Sequence, residues 1–88
     1  MDELDIPPDA IDDKLSIEML RAFIANGAQS VSINKEFFLD RSFSEGKAWG
    51  VFLADTIRHI ANDISHRAKL DEEAVLTDIL TALSSEIA

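Results

Sequence analysis

The sequence predicts a small α+β domain, ordered as an extended N-terminal arm, a helix, a β-hairpin, a long amphipathic helix and a C-terminal helix (α-β-β-α-α). Three observations predict it. Apolar residues recur at three-and-four spacing in three stretches, the pattern of helices with one buried face. Between the first and second of these, apolar residues alternate with serines, the pattern of a half-buried strand. The 88 residues, 47% of them hydrophobic, suffice for one core. A compact chain of this mass exposes about 5,000 Å² and holds no second domain. Residues 1–88 are therefore read as one domain, with 1–11 as the extended arm and the helix over 71–88 at its periphery.

Pro7-Pro8 deprives the arm of two backbone donors and pushes Ile6 toward extended geometry. Leu4 and Ile6, two apart, then point to one side. Asp12 or Asp13 can cap a first helix from Lys14 to Asn26, whose apolar positions are Ile17, Leu20, Phe23 and Ile24. Gly27 suits the left-handed position that closes such a helix. Strand character follows, with Val31 and Ile33 alternating with Ser30 and Ser32. Asn34-Lys35 is read as the turn and Glu36–Leu39 as the returning strand.

Ser42-Phe43-Ser44-Glu45 has capping-box spacing, so the long helix is expected from Glu45 to His66 or beyond. Trp49, Leu53, Ile57, Ile60, Ala61, Ile64 and Ala68 fall on one side of it, and Ala48, Asp55, His59, Asn62 and His66 on the other. After Leu70, Asp71-Glu72-Glu73 put negative charge where a helix amino terminus favours it. Val75, Leu76, Ile79, Leu80, Leu83 and Ile87 give that last helix an apolar face, expected to pack back on the long helix as a helical hairpin.

Composition excludes several functions. There is no cysteine, hence no disulfide framework, thiolate nucleophile or iron–sulfur cluster. A net charge of −9 argues against nucleic acid or an anionic membrane surface as partner. The acidic start and the lack of a long apolar run predict neither a signal peptide nor a membrane span, so a cytoplasmic protein is expected. Charge is uneven: residues 1–14 sum to −5, 15–46 to −1, 47–69 to +2 and 70–88 to −5. The positive middle either neutralises the acidic ends or meets an acidic surface on a partner.

Two constellations are candidate sites. Asp55, His59 and His66 have metal-ligand side chains at helical spacing, although the two histidines stand about 10 Å apart along the axis. No catalytic motif, phosphate-binding loop or cofactor fingerprint is present, so neither an enzyme nor a cofactor is expected. The second constellation is apolar: Phe37, Phe38, Trp49, Gly50 and Phe52. Adjacent phenylalanines on a strand point to opposite faces, Phe52 lies off the main stripe, and Gly46 and Gly50 suit close approach by another backbone. A homodimer or larger homo-oligomer would cover what one chain leaves out. The leading expectation is thus a self-associating interaction module, with an unknown protein partner as a further option. The alternative is a small-molecule or metal-binding module on the polar face of the long helix or at a dimer interface.

Glu18–Phe23, Gly27-Ala28-Gln29, Val31-Ser32-Ile33 and the run Ala48–Ala61 resemble an uncharacterised family of small proteobacterial proteins that carry a domain of unknown function. Ala48-Trp49-Gly50 and Leu53-Ala54-Asp55 followed by Arg58-His59 are its most specific elements. The resemblance covers about residues 3–65 and leaves out the helix after Leu70. It implies a bacterial cytoplasmic α+β protein and brings no activity, cofactor or catalytic residue.

Overall fold

A computed structural model describes residues 1–39 and 44–88. The elements follow the expected order: α1 (Pro8–Asp12), β1 (Leu20–Ala25), β2 (Ala28–Ile33), α2 (Glu45–Ala68) and α3 (Glu72–Ile87). The chain divides into two compact units, Met1–Asp40 and Arg41–Ala88.

In the first unit, the order is as expected but two boundaries move. The helix lies at Pro8–Asp12, overlapping the end of the expected arm over 1–11, and the segment read as helix from Lys14 to Asn26 contains β1 instead. Pro8 explains the new position. A proline in the first turn gives up an amide that has no helical partner there, and its fixed φ already suits a helix. The Pro7 carbonyl accepts from the amides of Ala10 and Ile11 at 3.0 and 3.2 Å. The turn is closed from beyond its end, where the Ser16 hydroxyl donates to the Ala10 carbonyl at 2.7 Å.

Asn26 and Gly27 decide the hairpin. Their φ values, 54° and 76°, are both positive, as a two-residue type I′ turn requires. Gly27 is therefore a hairpin residue, not a helix stop. β1 and β2 pair antiparallel with Leu20 opposite Ile33, Ala22 opposite Val31 and Ile24 opposite Gln29. These six share one face, and Arg21, Phe23, Ser30 and Ser32 share the other. The expected turn at Asn34-Lys35 with a returning strand over Glu36–Leu39 is not formed. Instead the Asn34 side-chain oxygen accepts from the amides of Glu36 and Phe37 at 3.1 and 3.2 Å, which folds residues 35–39 into turns.

The second unit is a helical hairpin whose two helices pack on each other, as expected. Ser44 caps α2, its hydroxyl accepting from the Lys47 amide at 3.1 Å. The Ser42 member of the expected capping box lies outside the described residues. At the other end, Lys69 adopts the left-handed conformation (φ 55°, ψ 47°) that usually falls to glycine. Ser65 holds this turn twice: its carbonyl accepts from the Leu70 amide at 3.1 Å and its hydroxyl donates to the Leu70 carbonyl at 2.6 Å. Asp71 caps α3 by accepting from the Ala74 amide at 3.0 Å, with Glu72 and Glu73 in the first turn. The Asn62 amide bridges the helices, donating to Glu72 Oε1 at 2.8 Å.

Only small side chains are buried among the described residues: Ala48, Ala61 and Val75. Ala48 corrects the expectation that put it on the exposed side of α2. The larger members of both apolar faces stay partly wet, with Leu53, Ile60, Leu80 and Leu83 each keeping between 41% and 47% of their surface exposed. No helix among the described residues is long and apolar enough to cross a membrane.

The Lys69 turn yields a direct prediction. Left-handed backbone costs a side-chain-bearing residue about 1–2 kcal/mol, part of which glycine returns as lost chain entropy. Lys69→Gly is therefore expected to raise the stability of the helical hairpin by about 0.5–1 kcal/mol in urea unfolding. A lowered midpoint would contradict this account of the turn.

Candidate functional site

The aromatic candidates form two edge-to-face pairs, one in each unit. In the first unit the Phe37 and Phe38 rings lie 5.2 Å apart at 77°. Both are half-buried, and both follow the Asn34 turn. The expectation that strand geometry would send them to opposite faces fails because the turn replaces the strand, and the two rings pack together. In the second unit Trp49 and Phe52, three residues apart on α2, stack at 5.4 Å and 79°. Phe52 is half-buried by that arrangement, although its helical position lies away from the main stripe.

Glycines at 46 and 50 suit close approach by another backbone. Among the described residues nothing lies within 4 Å of a Cβ built at either position, so the chain itself makes no such approach. The surface around Gly50 is open helix.

The polar stripe of α2 separates into pieces with different partners. His59 Nε2 lies 3.2 Å from Asp55 Oδ2, and both side chains are more than two-thirds exposed. Asn62 is taken up by Glu72 of α3, and Asp63 pairs with Arg67 at 2.5 Å. His66, also a candidate ligand, is exposed two turns beyond His59. Among the described residues no three histidine, cysteine, aspartate or glutamate side chains stand together as a metal site. The arrangement offers one carboxylate–imidazole pair in water, of small energetic value.

Arg21 is the most engaged charge in the first unit. Its Nε lies 2.8 and 2.9 Å from the two carboxylate oxygens of Glu18, and its Nη1 lies 3.1 Å from Glu3. The hydrogen bond that Arg21 donates to Glu18, with that carboxylate's charge and the bond to Glu3, raises the Arg21 pKa above its ordinary value. The trio ties the N-terminal segment to β1. No sequence pattern announces this trio, and residue 3 carries no signal of a partner.

The apolar surface on the second unit also extends past the sequence candidates. Leu53 and Ile60 on α2, and Leu80, Leu83 and Ile87 on α3, are exposed, with Ile87 at 78%. Periodicity alone places these residues on packed faces, because both stripes fit a helical hairpin. A single seam between two helices covers only part of each stripe.

Residues 3–88 match the family described as a domain of unknown function, DUF5076. The chain belongs to this family. The match takes in α3, which the sequence resemblance left outside its limit near residue 65. The fold is similar to a solved structure from the photosynthetic bacterium Rhodopseudomonas palustrus CGA009 that carries the provisional name pyruvate dehydrogenase. The two are 27% identical, with a TM-score of 0.68, over 100% of this chain and 85% of that one. No curated protein matches the chain.

The open surface at Gly50 gives a measurable consequence. Glycine inside a helix costs about 0.5–1 kcal/mol relative to alanine, and here the added methyl meets nothing. Gly50→Ala is therefore expected to stabilise α2 by that amount in thermal unfolding. Destabilisation would instead reveal a backbone from outside the chain lying on this surface.

Proposed function

We propose that this protein is a non-enzymatic interaction module that works by self-association, through the apolar surface of its α2–α3 hairpin. The observation that carries the reading is how little the hairpin buries. Its buried side chains among the described residues are two alanines and one valine, while four leucines and isoleucines on its helices stay between 41% and 47% exposed. Scattered exposed apolar residues are ordinary, but these recur along both helices at the spacing of a packing face. A two-helix layer stabilises itself by burying such faces against a further layer, and a second copy of the chain supplies one.

Trp49 and Phe52 continue this surface toward the start of α2, where their edge-to-face pair presents a broad half-buried anchor. The name carried by the Rhodopseudomonas relative belongs to that protein. What this chain shares with it is a fold, and fold alone does not transfer a reaction.

The test is sedimentation of the wild-type chain beside a Leu53→Asp/Ile60→Asp double variant. Both positions are exposed in the single chain, so the variant is expected to keep its helical circular dichroism. The wild type is expected to sediment as a dimer or larger species and the variant as a monomer. A wild type that sediments as a monomer at every concentration overturns the reading, as does a folded variant that associates as tightly as the wild type.

A further inference from the structure

The two edges of the β1–β2 hairpin are unlike. The Asn34 amide donates to the Met19 carbonyl at 2.9 Å, one step beyond the Leu20–Ile33 pair. Bonded and non-bonded pairs alternate along an antiparallel ladder. Ala28, Ser30 and Ser32 therefore turn their backbone groups inward to β1, and Gln29, Val31 and Ile33 turn theirs outward. On β1 the outward residues are Leu20, Ala22 and Ile24. Among the described residues no hydrogen bond reaches the outward amides of β2.

Every residue of β2 is exposed, and the strand contains no charged residue and no proline. Its register is free of bulges. Charges, prolines and bulges are the devices that keep an edge strand from pairing, and this edge has none of them. The β1 edge does carry a charge, Arg21, which engages Glu18 and Glu3. Residues 22–34 are also the longest uncharged run in a chain of net charge −9. Two such chains repel each other, and this run lets them meet without opposing like charges.

We propose that β2 pairs antiparallel with β2 of a second copy, joining two hairpins into one four-stranded sheet of order β1-β2-β2-β1. This rests on the self-association proposed above and adds a meeting surface in the first unit of the chain. Alternation fixes the register. A two-fold axis at Val31 sets Gln29 opposite the partner's Ile33 and Val31 opposite the partner's Val31, so every outward residue of the strand exchanges its hydrogen bonds. Ser30 then faces the partner's Ser32 in a non-bonded pair, where side chains approach most closely and hydroxyls can bond. An axis at Ser30 would set Ile33 against the turn at the partner's Gly27. A slip of one residue would send apolar and serine side chains to the same face. A lone two-stranded hairpin is marginal, and the joined sheet carries Leu20, Ala22, Ile24, Val31 and Ile33 of both copies on one continuous face.

The experiment is amide hydrogen exchange on the wild-type chain and two proline variants. In the wild type the amides of Gln29, Val31 and Ile33 are expected to exchange about tenfold or more slowly than those of Leu20, Ala22 and Ile24, and to lose that protection on dilution. Val31→Pro removes an outward amide that the hairpin itself does not use, at an edge position where proline is tolerated. Ala22→Pro makes the same change on the opposite edge. Val31→Pro is expected to abolish protection at Gln29 and Ile33 and to raise the dimer dissociation constant by about tenfold or more, since each copy loses a bond. Ala22→Pro is expected to change neither. The inward amides of Ser30 and Ser32 report whether each hairpin survives, and the wild-type exchange pattern decides alone where one does not. Equal exchange at both edges of a dimeric wild type would overturn edge pairing while leaving self-association intact. So would a surviving Val31→Pro hairpin with Gln29 and Ile33 still protected. Protection that persists in Leu53→Asp/Ile60→Asp would keep edge pairing and remove the helical surface. A monomeric wild type would remove both.

Discussion

Two helices meeting along one seam cannot cover two broad apolar faces, and that constraint governs the second unit of this protein. The seam is well formed. Ser65 fastens the turn, Asp71 caps the returning helix, and Asn62 ties the two together through Glu72. The buried side chains among the described residues are nevertheless small ones, Ala48, Ala61 and Val75. Burial of apolar area contributes roughly 25 cal/mol per Å², and alanines offer little of it. The large aliphatic residues that could contribute more stand at the edges of the seam. The hairpin thus has a defined geometry and an unfinished core.

The first unit has a related constraint with a different chemistry. A two-stranded hairpin is marginal by itself, because it presents one face and two edges to water. Here the turn chemistry is favourable, since Asn26 and Gly27 supply both positive φ angles. Arg21 adds a local fastening by holding Glu18 and Glu3 together. Its partners are all exposed, so the trio orders the N-terminal segment more than it stabilises the fold.

The two long helices were readable in the sequence because several signals agreed. Periodicity, caps and charge placement together mark helices from Glu45 to His66 or beyond and over 71–88, and the structure has them at 45–68 and 72–87. The hairpin was readable in kind but not in place. Leu20, Phe23 and Ile24 satisfy a helical period, while Leu20, Ala22 and Ile24 satisfy a strand period equally well. Gly27 is at home both after a helix and in a type I′ turn. Asn26, tolerant of positive φ, was the residue that separated the alternatives. Asn34 misled in the other direction, since its side chain captures two following amides and makes a turn without a returning strand. Of the site candidates, the Asp55–His59 pair and the Trp49–Phe52 neighbourhood follow from helical spacing. The exposure of Leu80, Leu83 and Ile87 does not, because a stripe at helical spacing reads the same whether its cover comes from the same chain or another.

The central claim is that a second copy of this chain completes the core of the α2–α3 hairpin. Isotope-filtered nuclear Overhauser spectroscopy on an equal mixture of labelled and unlabelled wild-type protein tests it most directly, because it detects only contacts between copies. The account predicts intermolecular signals from the methyl groups of Leu53, Ile60, Leu80 and Leu83. Filtered spectra with no signal from any of these methyls, at concentrations where the mixture has the mass of a dimer, would contradict it.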